Sequence, residues 1–181
     1  MQSYGVVPAY LTWSSVVTSM FLHGGWLHFL GNMLYLWIFG DNVEDRLGHG
    51  RFLLFYLGCG AAAALGQAVT SPSSVVPLVG ASGAIAGVMG AYFVLFQQSR
   101  VLTAVFIVFF FDLIEIPAIF FLGIWFLMQF VNGVGSIATT AREPAGGVAF
   151  WAHVAGFLAG IGSVIVFRKP ERQRVEWWND T

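Results

Sequence analysis

Charged side chains are scarce in this sequence, and their scarcity limits the kind of protein it can be. Only 9% of the 181 residues are Asp, Glu, Lys or Arg, whereas 57% are hydrophobic. A soluble domain carries about 25% charged residues, so this composition is typical of a chain that lies in lipid. The formal net charge of −1 and the lack of a basic amphipathic segment also argue against nucleic acid as a partner.

The sequence also contains only one cysteine and no recognisable internal repeat. The single cysteine, Cys59, has no second thiol with which to form an intramolecular disulfide. We find no pair of similar halves like those of inverted-repeat transporters, which disfavours that class.

Long apolar stretches are what the sequence does contain. Five of them approach the length that crosses about 30 Å of hydrocarbon at 1.5 Å per residue. They cover about Trp26–Phe39, Phe52–Val69, Gly80–Gln97, Pro117–Ile137 and Val148–Phe167. The predicted fold is therefore all-α, a polytopic membrane bundle of about five helical spans in contact with the lipid bilayer.

The segments outside these spans are less regular. Residues 1–22 have no charged side chain but are broken by Ser, Thr, Gly and Pro, so we expect them to lie on or shallowly in the membrane. The first span is expected to end in the polar turn Gly40–Asn42, followed by a charged loop. Val101–Phe111 is too short to span, which favours a re-entrant or interfacial segment, with a short β-hairpin as the alternative.

Positive charges predict the orientation of the spans. If the loop after the first span is cytoplasmic and Val101–Phe111 does not cross, seven of the eight Lys and Arg residues lie inside and only Arg142 lies outside. In this topology Ser82 and His153 both begin spans that run from the outside to the inside. They therefore lie at similar depth and can meet.

Glycine ridges give these two residues a way to come together. His153, Gly156 and Gly160 are three and four residues apart, which places them on one face of a helix. The span that begins with Ser82 carries a matching ridge of small residues: Gly83, Gly87 and Gly90. Such ridges let two helices approach closely, and a histidine that takes the serine proton would make Ser82 a nucleophile.

Polar residues in the first span supply the second requirement of acyl transfer. His28 and Asn32 are four residues apart on one helical face, and donors aimed at a developing oxyanion, together with the backbone N–H of Ser82, would stabilise it. No carboxylate is placed to orient His153, so the sequence predicts a Ser–His dyad.

Each of these residues also has a structural interpretation. A single membrane histidine or asparagine often serves only as an interhelical hydrogen bond, and a serine among glycines often serves only packing. His28, His153 and Asn32 do not form a metal site without a further strong ligand, so we expect neither a metal nor another cofactor. Four such residues at one depth are harder to explain as packing.

At this point the sequence resembles the rhomboid intramembrane serine proteases. The stretch from His23 to Asn32 is similar to the family's HxxxxHxxxN signature. Gly80-Ala81-Ser82-Gly83 is similar to its GxSG motif, and the stretch from Ala152 to Gly160 to its AHxxGxxxG motif. The resemblance covers nearly the whole chain. It implies Ser82 as the nucleophile, His153 as the general base and then acid, and an oxyanion hole formed by His28, Asn32 and the Ser82 amide.

The resemblance also implies an organisation and a substrate class. Residues 1–22 would be an outer membrane-associated loop segment, 23–167 the protease core and 168–181 a cytoplasmic tail. Residues 138–147 would form a mobile cap. The substrates would be transmembrane segments of other proteins, cut at small residues, and the chain would be a multi-pass protein of a bacterial or archaeal plasma membrane. The alternative is a non-catalytic rhomboid-like binding or quality-control protein, or an inactive fragment.

Two departures from the family pattern accompany the resemblance. The family's core has six spans, and the span expected before residues 1–22 is not seen in this sequence. In some members an aromatic residue four positions after the serine packs against the histidine, and that position is Ala86 here.

Overall fold

The computed structural model describes residues 4–107, 110–138 and 149–169. In these residues two short helical segments, a 3-10 helix at Pro8–Tyr10 and helix α1 at Trp13–Ser19, precede the main bundle. The long helices are α2 (Trp26–Leu47), α3 (His49–Thr70), α4 (Ser82–Leu95), α5 (Ala118–Ala138) and α6 (Phe150–Phe167), and the strands are β1 (Arg100–Ile107) and β2 (Phe110–Pro117). The structure confirms the predicted helical membrane bundle and adds a small two-stranded sheet.

The five long helices differ in how well they suit a membrane span. Within the described residues, α3, α5 and α6 are each long and apolar enough to cross a bilayer. Helix α4 is apolar but has only 14 residues, which corresponds to about 21 Å. It contacts α2, α3, α5 and α6, and every residue from Ala84 to Tyr92 is buried. The bundle is therefore built around a short central helix.

The predicted turn at Gly40–Asn42 is wrong, because α2 continues through it to Leu47. Phe39, Val43 and Leu47 are four residues apart and fully buried, so they form one packed stripe that keeps the backbone helical. Polar residues such as Asp41 lie on the exposed side of the same turns. The helix ends only at Gly48, whose φ of 85° lies in the region that favours glycine.

The ambiguous stretch after α4 forms the β-hairpin. Strands β1 and β2 are antiparallel, and Arg100 is paired with Pro117 at the base of the hairpin. Because the two ends of the hairpin lie side by side, α5 starts at the end of the bundle where α4 finishes. The predicted non-crossing of this segment agrees with that arrangement.

The N-terminal segment braces the loop that leads into α4. Val6 forms an antiparallel bridge with Leu78, and the backbone N–H of Gly80 donates to the carbonyl of Ser19 at 2.9 Å. Met20 is buried and contacts the α3 backbone near Gly60. Residues 4–22 thus hold the approach to Ser82 from one side.

Glycine contacts set the distance between α4 and α6. A Cβ built on Gly156 would collide with the carbonyl oxygen of Gly83, and one on Gly160 would collide with that of Gly87. The two helices run parallel, since residue numbers rise together along the contact. The glycine ridges predicted from the sequence therefore do face each other, and neither helix has room for a side chain there.

This contact predicts different effects of the same substitution at two glycines of α6. Gly160→Ala should lower the free energy of unfolding by roughly 1–3 kcal/mol, because its methyl group must push α4 away. Gly162→Ala is the matched control, since no described atom other than its chain neighbours and the backbone of its own helix lies within 4 Å of its Cβ position. Thermal unfolding in detergent measures both variants. Equal stability of the two would contradict the close approach.

Candidate active site

Ser82 and His153 are in direct contact in the structure. Ser82 is the first residue of α4 and His153 lies in the first turn of α6, at the same end of the two parallel helices. The Oγ atom of Ser82 lies 2.9 Å from Nε2 of His153. This distance is that of a hydrogen bond, and it is the contact that a serine needs in order to transfer its proton to a base.

Gln67 holds the start of α6 in this position. Its side chain is buried, and its Oε1 accepts the backbone N–H of Ala152 at 3.2 Å. The first N–H groups of a helix have no partner within the helix, so this contact satisfies one of them from α3. Gln67 thereby fixes the residue that precedes His153.

His28 and Asn32 line the same cavity as Ser82 and His153. The cavity has a volume of about 290 Å³ and lies between α2, α4, α5 and α6. Its apolar wall includes Leu27, Ile85 and Met89. The structure therefore brings together all four of the residues that sequence analysis selects.

Both α2 residues contribute side-chain nitrogens to the lining of this cavity. Asn32 is 6% exposed, and its Nδ2 is buried without a hydrogen-bond partner among the described residues. The Nδ1 atom of His28 accepts the backbone N–H of Gly24 at 3.3 Å, so in neutral His28 the proton is on Nε2. Two side-chain N–H donors therefore lie close to Ser82.

Gly80 allows these donors to approach the start of α4. A Cβ on Gly80 would lie 2.7 Å from Nε2 of His28 and 3.6 Å from Nδ2 of Asn32. Its φ of 125° also lies outside the range that other residues adopt readily. Glycine is thus required two residues before Ser82 for both steric and conformational reasons.

His23 supports the loop that leads into α2. Its ring packs edge-on against His28, with ring centroids 5.5 Å apart, and against Phe29. Burial, and then the neighbouring His28, lower the pKa of His23. A lowered pKa keeps His23 neutral at pH 7, so it does not bring a charge to the site.

Two residues of α5 that the sequence analysis did not select contact His153. Oε1 of Gln129 lies 2.9 Å from Nδ1 of the histidine. The Trp125 ring packs against the imidazole with centroids 5.8 Å apart and an angle of 37° between the planes. The group at Nδ1 is therefore an amide and not a carboxylate. The aromatic partner that Ala86 cannot provide comes from another helix.

A signal for Gln129 was present in the sequence. Between Pro117 and Val131 it is the only residue with an amide or charged side chain. It lies four residues after Trp125, so the two share one face of α5.

The predicted cap, residues 138–147, lies outside the described residues apart from Ala138, and the predicted tail, 168–181, is described only to Lys169.

Comparison with known proteins assigns the fold to a family. A family model for the rhomboid domain matches residues 10–170. The putative rhomboid protease YdcA of Bacillus subtilis is 41% identical over 91 residues, which are 49% of this chain and 45% of that protein. Rhomboid protease GluP of the same organism is 44% identical over 79 residues, 44% of this chain and 15% of the relative.

A more distant relative matches over a longer range. Rhomboid protein 1, mitochondrial, of Saccharomyces cerevisiae is 29% identical over 157 residues, which are 81% of this chain and 40% of that protein. The chain thus spans less than half the length of each of these three relatives. The family model covers most of the chain, and the helices suit a membrane. The chain therefore belongs to the rhomboid family and is a multi-pass integral membrane protein.

Proposed function

We propose that this chain is an intramembrane serine endopeptidase that uses a Ser82–His153 dyad. The observation that carries the proposal is the 2.9 Å contact between Ser82 Oγ and His153 Nε2. It lies beside a cavity lined by Asn32, whose Nδ2 has no hydrogen-bond partner among the described residues. A packing role for Ser82 would need neither a basic nitrogen at its hydroxyl nor side-chain N–H donors in the same cavity.

The chemistry follows from the positions of these atoms. As Ser82 Oγ attacks the carbonyl carbon of a peptide bond, its proton passes to Nε2 of His153. The same proton then passes to the leaving amine as the C–N bond breaks, which leaves an acyl group on Ser82. A water molecule in the cavity gives its proton to His153 and attacks the ester, and the histidine returns that proton to Ser82.

Three donors would stabilise the negative charge on the carbonyl oxygen. They are Nε2–H of His28, Nδ2–H of Asn32 and the backbone N–H of Ser82. The Ser82 amide lies in the first turn of α4, where N–H groups have no partner within the helix. Donors that are already in place need no reorganisation as the charge develops.

The surroundings of the site support a proposal for the substrate class. Helix α4 is shorter than the bilayer core, so its first residue, Ser82, would lie below the membrane surface. A substrate would therefore be a transmembrane segment of another protein, locally unwound so that its peptide bond reaches the cavity. We propose a bacterial or archaeal plasma membrane as the location of the chain. Two relatives come from Bacillus subtilis, which supports this proposal, whereas the yeast relative is mitochondrial.

Labelling with a fluorophosphonate tests whether the serine is activated. The detergent-solubilised wild type should react at Ser82, whereas Ser82→Ala and His153→Ala should not, since one lacks the nucleophile and the other the base. Thermal unfolding shows whether the variants remain folded. A folded wild type that is not labelled would favour a non-catalytic rhomboid-like protein.

Cleavage in liposomes tests the proposed reaction itself. When the liposomes also contain a single-span membrane protein, the wild type should cut that span, whereas Ser82→Ala and His153→Ala should not.

Asn32→Ala tests the oxyanion hole. The rate of fluorophosphonate labelling should fall by roughly 10²–10³-fold, because one donor to the developing negative charge is lost. Asn42→Ala is the matched control, since Asn42 is an exposed residue of the same helix whose amide is 3.5 Å from the Ile38 carbonyl. If the two variants react at the same rate, Asn32 has a packing role instead.

A further inference from the structure

Beyond the dyad, we infer that Gln129 is a positioning residue that holds His153 in the tautomer able to accept the proton of Ser82. This inference rests on the proposed function. It starts from two hydrogen bonds to the two nitrogens of a single imidazole ring. Nε2 faces Ser82 Oγ and Nδ1 faces Gln129 Oε1, each at 2.9 Å.

The acceptor at Nδ1 determines where the proton of the neutral ring resides. A carbonyl oxygen only accepts hydrogen bonds, so Oε1 of Gln129 requires a proton on Nδ1. A neutral imidazole carries one N–H, and Nε2 is then left with a free lone pair. The hydroxyl of Ser82 donates to that lone pair. Without the contact at Nδ1 the proton could move to Nε2, and the ring could not act as the base.

Gln129 also contacts the charged form of the ring. When Nε2 has taken the serine proton, Nδ1–H still donates to Oε1, and hydrogen bonds that involve a charged group are stronger than those between neutral groups. An amide oxygen carries no full charge, however. Gln129 therefore provides the orienting role of a triad carboxylate without placing an anion in the membrane, where it would be costly.

The rest of α5 holds Gln129 in place. Trp125, one turn earlier, packs against the His153 ring, and the indole N–H of Trp151 in α6 donates to the carbonyl of Gly133 at 3.1 Å, one turn later. Contacts with α6 therefore fix helix α5 one turn before and one turn after Gln129. The other polar groups that face His153 in the described residues are the Ser82 hydroxyl from α4 and the His28 imidazole from α2.

Nitrogen NMR of the histidine side chains tests the inference without any substrate. The chain has four histidines, so a ¹⁵N-histidine-labelled sample of the full chain in detergent gives few signals, and His153→Ala assigns the relevant one. We expect His153 to carry its proton on Nδ1 in the wild type. In Gln129→Leu, which has a similar volume but no acceptor, the signal should shift towards the Nε2–H form.

Fluorophosphonate labelling gives the kinetic consequence. Gln129→Leu should slow labelling by roughly tenfold to a hundredfold, as expected for the loss of a hydrogen bond to a charged group. Gln129→Glu should restore most of the rate. The carboxylate of Gln129→Glu also favours the imidazolium form of His153, so the acidic limb of this variant's pH–rate profile should lie at higher pH than that of the wild type. In Gln129→Leu, which has no acceptor, the acidic limb should lie at lower pH. A merely structural role would not order the three profiles in this way.

Asn132→Leu is the matched control. Asn132 lies on the same helix and is exposed, and its amide donates to the Met128 carbonyl at 2.7 Å. This variant loses an amide from α5 but should keep the wild-type tautomer and rate.

The possible outcomes separate the inference from the proposed function. A wild type with the proton on Nε2 of His153, or a Gln129→Leu variant with an unchanged tautomer, overturns the role of Gln129. If His153 carries its proton on Nδ1 in the wild type but not in Gln129→Leu, the role of Gln129 is supported. If that wild type is nevertheless not labelled, the proposed function is overturned.

Discussion

Everything in this structure depends on how closely α4 and α6 approach each other. The carbonyl oxygens of Gly83 and Gly87 occupy the space that side chains at Gly156 and Gly160 would need. In a membrane there is little hydrophobic gain when apolar helices associate, so dispersion contacts between close backbones must stabilise the pair. The same closeness allows the short side chain of Ser82 to reach His153, because neither residue has to cross a wide gap. The close approach of α4 and α6 therefore determines both the packing of the bundle and the geometry of the site.

The remaining elements complete the polar pocket around that pair. Helix α2 provides donors from His28 and Asn32, α3 fixes the start of α6 through Gln67, and α5 contributes Trp125 and Gln129. Buried polar groups are costly in an apolar interior unless they have partners. Most of these side chains do have one in the structure. Nδ2 of Asn32 has none among the described residues, and the cost of burying it is understandable if a ligand oxygen is the missing acceptor.

Much of the fold could be predicted from single-sequence patterns, and the failures have definite causes. Apolar length and the positions of glycines indicated the long helices and the ridge that joins α4 to α6. The turn predicted at Gly40–Asn42 is wrong because burial of Phe39, Val43 and Leu47, which are four residues apart, outweighs the turn tendency of one glycine and two polar residues. The stretch from Val101 to Phe111 could not be assigned, since short apolar runs suit a hairpin and an interfacial segment equally well.

Composition and the 3.6-residue period are local properties of the chain. They are enough to indicate a membrane protein, the approximate positions of its helices and the residues that share a helical face. Which of these faces meet depends on the packing of the folded bundle. Gln129 was visible as a polar residue in an apolar helix, yet nothing local to α5 says that it lies against Nδ1 of His153, 24 positions further along the chain. The same is true of Trp125, which supplies the ring contact that Ala86 lacks. Contacts between distant segments depend on the rotation and depth of each helix, and these are set by the packing of the whole bundle.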